Sequence, residues 1–222
     1  MPSPLMQKRR TLNLNVSGPT GSGKSTLVGL MANHPDVSAT REPQPAELLR
    51  RFDFDPTIYC FDLQRTILTC RLDERDGLAA GGRIQVRDRS PEEDFAIFAT
   101  MFHAAGYLSS GQFAALREQA TQVSIAIGGP DAFVLLRADD AVLEGRIAAA
   151  GAPNRVLSLL REQIRLYEQW FQSLTEPRIM IDTSSLEVND LVPRSAWVLS
   201  SIERACAGER LRNSALGLAW TV

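Results

Sequence analysis

Apolar and polar residues alternate from Thr11 to Ser17, with Leu12, Leu14 and Val16 on one side. A period of two predicts a strand. The pattern then changes: a glycine-rich stretch, GPTGSGKST, leads into LVGLMAN, which reads as a helix ended by Pro35. Further strands are expected at Val37–Thr40, around Ile84 and Val86, across the continuous apolar run 131–138, and at 178–182. Helical patterns fill the gaps, at 44–52, 57–75, 91–106, 110–127, 140–149, 155–173 and 187–205. In 155–173, Val156, Leu160, Ile164, Tyr167 and Phe171 share one face. This alternation implies an α/β fold, a five-stranded parallel sheet with helices on both faces. No long Pro/Gly-rich linker interrupts it, so residues 11–205 are expected to form one domain. A flexible tail is expected at 1–10, and a tail of unassigned order at 206–222, where Leu211, Leu216, Leu218 and Trp220 are available to dock.

Composition narrows the functional classes. The 222 residues are 44% hydrophobic and 23% charged, enough for a full core, and the net charge of −2 disfavours a general nucleic-acid binder. No apolar run is long enough for a membrane helix, and the first ten residues lack a secretory pattern. Cys60, Cys70 and Cys206 have no metal-ligand spacing, which points to free thiols and a cytoplasmic setting. Lysine occurs only at Lys8 and Lys24, so the surroundings of Lys24 carry weight.

Those surroundings match G-x-x-x-x-G-K-[ST] from Gly18 to Ser25, between a strand and a helix. Glycines let successive backbone N–H groups point into one concavity, and the helix that follows adds its positive end. Gly18, Thr20, Gly21, Ser22, Gly23, Lys24, Ser25 and Thr26 are therefore expected to cradle the phosphates of ATP. Lys24 would reach the terminal phosphates and Ser25 would ligate Mg²⁺. No N-K-x-D guanine-reading motif and no D-x-x-G switch follows, which disfavours a GTPase.

Four further segments occur in order: Thr40-Arg41-Glu42-Pro43 after the second strand, Phe61-Asp62-Leu63-Gln64 with Arg71 seven residues on, Asp88-Arg89-Ser90 with Asp94, and Gly145-Arg146-Ile147. With the phosphate loop and the Ile181-Asp182 strand end, this set resembles the deoxynucleoside kinase family over about residues 11–182. The resemblance implies a phosphate-loop nucleotide-kinase fold with a short lid, and transfer of the γ-phosphoryl group of ATP to a nucleoside 5′-hydroxyl. It implies Glu42 as general base, Arg89 and Arg146 beside the transferred group, Asp88 assisting Mg²⁺, and Gln64, Arg71 and Asp94 reading the base. It also implies a homodimer. Phe98, near Asp94, is the preferred stacking wall among Phe52, Phe54, Tyr59, Phe61, Phe95 and Phe98, most of which are expected in the core.

The chain departs from the family in two places. Where the lid would carry further arginines and acidic residues, it reads Ala148 to Arg155, and Asp53 replaces a tyrosine that touches the sugar. The catalytic half thus fits better than the substrate half. This keeps three rivals in view: a monophosphate kinase resembling thymidylate kinase, in which Arg41 and Arg89 would hold the acceptor phosphate; a kinase acting on a hydroxyl of a modified nucleoside or of a modified base in DNA; and an ATP-binding regulatory module. His34 and His103 lack any partner pattern and read as structural.

Overall fold

A computed structural model describes residues 11–79, 82–206 and 219–221. The Leu12–Ser17 alternation is strand β1. Its chain passes through the glycine loop into α1 (Lys24–Met31), then β2 (Val37–Thr40), α2 (Ala46–Phe54) and α3 (Pro56–Ala79). After β3 (Ile84–Asp88), one helical course runs as α4 (Pro91–Glu93), a π-helical stretch (Asp94–Ala99) and α5 (Thr100–Ala104). Then follow α6 (Ser110–Ile127), β4 (Ala132–Arg137), α7 (Asp140–Ala149), α8 (Asn154–Ser173), β5 (Arg178–Asp182), α9 (Val188–Cys206) and β6 (Ala219–Thr221).

The sheet order is β2-β3-β1-β4-β5-β6. Strands β1 to β5 are parallel, as the alternating pattern requires. The C-terminal tail, left unassigned from sequence, adds a sixth strand: β6 lies antiparallel to β5, with Ile179 opposite Trp220. Because β1 leads outward to β2 while its neighbour β3 leads across to β4, their carboxyl ends form the crevice where such sheets bind ligands. Register places Val16 beside Asp88, so the glycine loop and the residues after β3 leave the sheet at the same level.

The apolar run in β4 serves two layers. Val134 and Leu136 join Leu14, Leu27, Met31, Ile181 and Val198 on the side of α1 and α9. Phe133 and Leu135 face the opposite cluster with Leu63, Ile97, Leu116 and Tyr167. Successive side chains of a strand point to opposite faces, so a strand covered on both sides is apolar throughout. Asn13, odd in a central strand, anchors the β4 approach: its N–H donates to Asp131 Oδ2 at 2.9 Å and its Nδ2 to the Gly129 carbonyl at 3.2 Å. Among the described residues, no helix is long and apolar enough to cross a membrane.

Candidate active site

The glycine loop opens at the carboxyl end of β1. Gly18, Gly21 and Gly23 have φ of 143°, 83° and 98°, conformations that side chains resist. A Cβ on Gly18 would stand 2.3 Å from the Leu136 carbonyl oxygen. Lys24, at the first position of α1, folds back so that Nζ donates to the Pro19 carbonyl at 3.0 Å. Burial pulls its pKa down to about 8, and Arg89 adds to this; Asp88, Glu42 and Glu93 work in the opposite direction. A bound polyanion would raise it again.

Ser25 Oγ donates to Asp88 Oδ2 at 2.7 Å, while Asp88 Oδ1 is buried without a hydrogen-bond partner. Two hard oxygen ligands thus lie side by side, one with an unused lone pair, a set that fits Mg²⁺. Among the described residues, no group of three His, Cys, Asp or Glu side chains could hold a metal ion. Mg²⁺ here would share its shell with nucleotide and water, its usual habit.

Arg89, just past β3, sits at the centre. Its φ of 68° is the one positive value at a non-glycine among the described residues. That turn sends its guanidinium back over the crevice, 4.3 Å above the Phe98 ring centre. It pairs with Glu42, which follows β2, and its Nε lies 3.4 Å from Glu93 Oε1. Burial disfavours its charge, but Glu42, Tyr167, Glu93 and Asp88 outweigh this and hold its pKa above the ordinary value. Glu93 is fully buried, accepting from Ser17 Oγ at 2.6 Å and from the Tyr167 hydroxyl. Burial raises its pKa to about 7, against the lowering effect of Arg89 and of those two hydrogen bonds.

Two clefts flank this centre. One, of about 560 Å³, is lined by Thr20 to Thr26, Arg146 and, farther out, Thr183, Leu186 and Leu191. The other, of about 290 Å³, is walled by Leu49, Phe52, Phe98, Met101 and Phe102, with Gln64 and Asp94 among its polar residues. Thr20, Glu42 and Arg89 line both.

A family model of deoxynucleoside kinases matches residues 14–206. The chain belongs to the deoxynucleoside kinase family. It is a nucleoside kinase, a phosphotransferase. Among solved structures, a deoxyadenosine kinase from M. mycoides with bound dCTP aligns with a TM-score of 0.72 at 19% identity, covering 86% of this chain and 100% of the other. That likeness speaks for the fold. A search of curated proteins finds no match.

The kinase fold brings most sequence-named residues together. Lys24, Glu42, Arg89 and Arg146 line the cleft of the glycine loop, and Gln64, Asp94 and Phe98 the apolar pocket. Arg71 does not stand on the pocket wall. It is buried behind Asp94, gripping it through Nε to Oδ2 at 2.5 Å and Nη2 to Oδ1 at 3.1 Å, with Nη1 3.4 Å from the Asp88 and Arg89 carbonyls. Its part is to aim Asp94 and brace the turn that carries Arg89. Arg146 donates to Gly21 O at 3.3 Å and to Thr183 O at 2.8 Å, a link from α7 to both rims of the cleft. Phe54, one of the candidate walls, is 89% exposed and takes no part in the pocket. Arg41 is exposed and lies on the lining of neither cleft.

Four contributors escaped the sequence reading. Glu93 and Tyr167 form the floor beneath Arg89, Gln163 of α8 accepts the Thr20 N–H at 2.8 Å, and Thr183 anchors Arg146. The i, i+4 spacing of Arg89 and Glu93 was the only available signal, and it is weak.

Proposed function

We propose that the kinase transfers the γ-phosphoryl group of ATP to the 5′-hydroxyl of a deoxynucleoside, with Glu42 as general base. One observation carries this reading: Glu42 and Arg89 line both the phosphate cleft and the apolar pocket. Groups lodged in the two spaces therefore meet at one carboxylate and one guanidinium. Glu42 takes the hydroxyl proton as the acceptor oxygen attacks phosphorus, and Arg89 opposes negative charge on the transferring group. Lys24 and the loop N–H groups hold the phosphate tail, and Arg146 approaches from α7. Mg²⁺, held by Ser25 and Asp88, would neutralise phosphate charge. In the pocket, Gln64 offers a donor and an acceptor to the base edge beside the fixed Asp94 carboxylate, and Phe98 supplies a face. The homodimer implied by family resemblance accompanies this reading; a monomer mass by light scattering at micromolar concentration would refute it.

The test is ADP release from ATP across a panel of deoxynucleosides and their monophosphates. Turnover on a deoxynucleoside, reduced about 10²-fold or more in Glu42→Gln with ATP binding retained, is expected. Turnover on monophosphates alone would transfer the chain to the thymidylate-kinase-like reading. Inactivity on the whole panel would refute nucleoside phosphorylation and turn the search to modified bases and DNA.

A further inference from the structure

The buried face of α8 is apolar at Leu160 and Phe171, but between them it carries two polar side chains one helical turn apart, Gln163 and Tyr167. Tyr167 donates to Glu93 beneath Arg89. Gln163 has no part in the mechanism proposed above. An amide on a residue only 5% exposed needs a partner, and Gln163 Oε1 finds one in the Thr20 N–H at 2.8 Å. Only the oxygen of the amide can accept from an N–H, so chemistry fixes which way the group points.

The Thr20 N–H shares a peptide group with the Pro19 carbonyl, and in a trans peptide the two point in opposite directions. That carbonyl accepts from Lys24 Nζ at 3.0 Å and from the Ser22 N–H at 3.2 Å. One planar group is thus gripped at both ends, by α8 on one side and by Lys24 on the other. Lys24 is buried, which disfavours its ammonium form, so a correctly aimed carbonyl matters to it.

Little in the loop itself stops this peptide from turning. A peptide plane turns through ψ of the residue before it and φ of the residue after it. Pro19 fixes its own φ but leaves ψ free, and glycines flank the pair at Gly18 and Gly21. The carbonyls that follow are braced from outside the loop: Gly21 by Arg146 at 3.3 Å and Ser22 by the Thr183 hydroxyl at 3.0 Å. The Pro19–Thr20 peptide has Gln163 for its brace.

We infer that Gln163 is a positioning residue: it locks the Pro19–Thr20 peptide and, through the Pro19 carbonyl, holds Lys24 in place for the phosphates. Its value to phosphoryl transfer rests on the proposed reading of the loop as the ATP site; the lock itself is a property of the free protein. Gln163→Met keeps the length of the side chain and removes the acceptor. It leaves the Thr20 N–H unpaired and the peptide free to turn, and Lys24 then loses its aim. Gln163→Glu keeps an oxygen acceptor.

Nuclear magnetic resonance on the ligand-free kinase tests the lock directly. Exchange of the Thr20 amide proton should be severalfold faster in Gln163→Met than in the natural protein, and should stay slow in Gln163→Glu. The chain has two lysines, so selective lysine labelling gives two sets of side-chain signals, with Lys8 as internal control. The Lys24 signals should shift in Gln163→Met while those of Lys8 stay. Calorimetry should show ATP with Mg²⁺ binding to Gln163→Met about twofold to tenfold more weakly. Melting by circular dichroism checks the fold, and Gln163→Leu serves as a second non-accepting variant if Gln163→Met does not fold. Unchanged exchange at Thr20 overturns the inference, as does faster exchange with unmoved Lys24 signals or with undiminished ATP affinity. Both spectral changes in a chain whose natural form does not bind ATP would support the lock while sinking the ATP-donor reading.

Discussion

The Arg89 guanidinium lies 4.3 Å above the centre of the Phe98 ring while it pairs with Glu42. The ring supplies an apolar wall to the proposed acceptor pocket and, through its π face, a seat for the group proposed to meet the phosphoryl oxygens. Phe98→Leu keeps the wall and removes the seat. Its kcat/KM for the acceptor should fall about twofold to thirtyfold, corresponding to ~0.5–2 kcal/mol, with KM for ATP little changed. Arg89→Lys should cost more, because an ammonium cannot span Glu42 and Glu93 together. Steady-state kinetics with both substrates varied decides this; equal loss of ATP affinity in Phe98→Leu would contradict it.

Glu93 makes folding stability pH-dependent in a direction opposite to that of a surface carboxylate. Its pKa rises from 4.5 to about 7 on folding. Between those values the folded chain holds a proton that the unfolded chain has released, so stability declines as pH rises through this window and levels off above about 7. Glu93→Gln, which keeps the shape and removes the titration, should flatten that decline. Chemical denaturation of both proteins at pH 5 and pH 8 measures the slope; parallel slopes would assign the effect to other groups.

Glycines of the phosphate loop should differ in their tolerance of a methyl group. Gly23→Ala meets no atom within 4 Å and suffers only its φ of 98°, a cost of about 1–2 kcal/mol. Gly18→Ala must displace the Leu136 backbone, whose carbonyl oxygen would lie 2.3 Å from the new carbon. Thermal melting should show the larger loss for Gly18→Ala, and its ATP binding should weaken as the loop shifts against β4.

Much of this was legible because the signals are local. The period of two in Leu12–Val16, the doubly apolar β4 and the glycine spacing each follow from a few adjacent residues. Ordered short motifs placed Glu42, Arg89, Gln64 and Asp94. What stayed hidden depends on distant partners. Ser90 and Glu93 have the spacing of a helix capping box, and Ser90 Oγ does accept the Glu93 N–H at 3.2 Å. The Glu93 side chain instead goes to Ser17 and Tyr167, which lie 76 and 74 residues away. The Asp53–Arg155 pair was seen as two losses from a pattern, because only the fold joins them. The π-helical stretch Asp94–Ala99 left no mark in the apolar spacing of DFAIFA, although it carries both Asp94 and Phe98.

Arg89 occupies a backbone conformation that a glycine or an asparagine would adopt more readily. Two selections therefore act on this single position in opposite senses. The main chain favours a smaller residue, while the crevice and the two carboxylates beside it require a guanidinium. In a descendant released from its chemistry, position 89 would be among the first to drift, and Glu93, buried without its counter-charge, would be held protonated or replaced by a neutral residue. An arginine kept at this position in a diverged relative is thus a sign that turnover is still under selection.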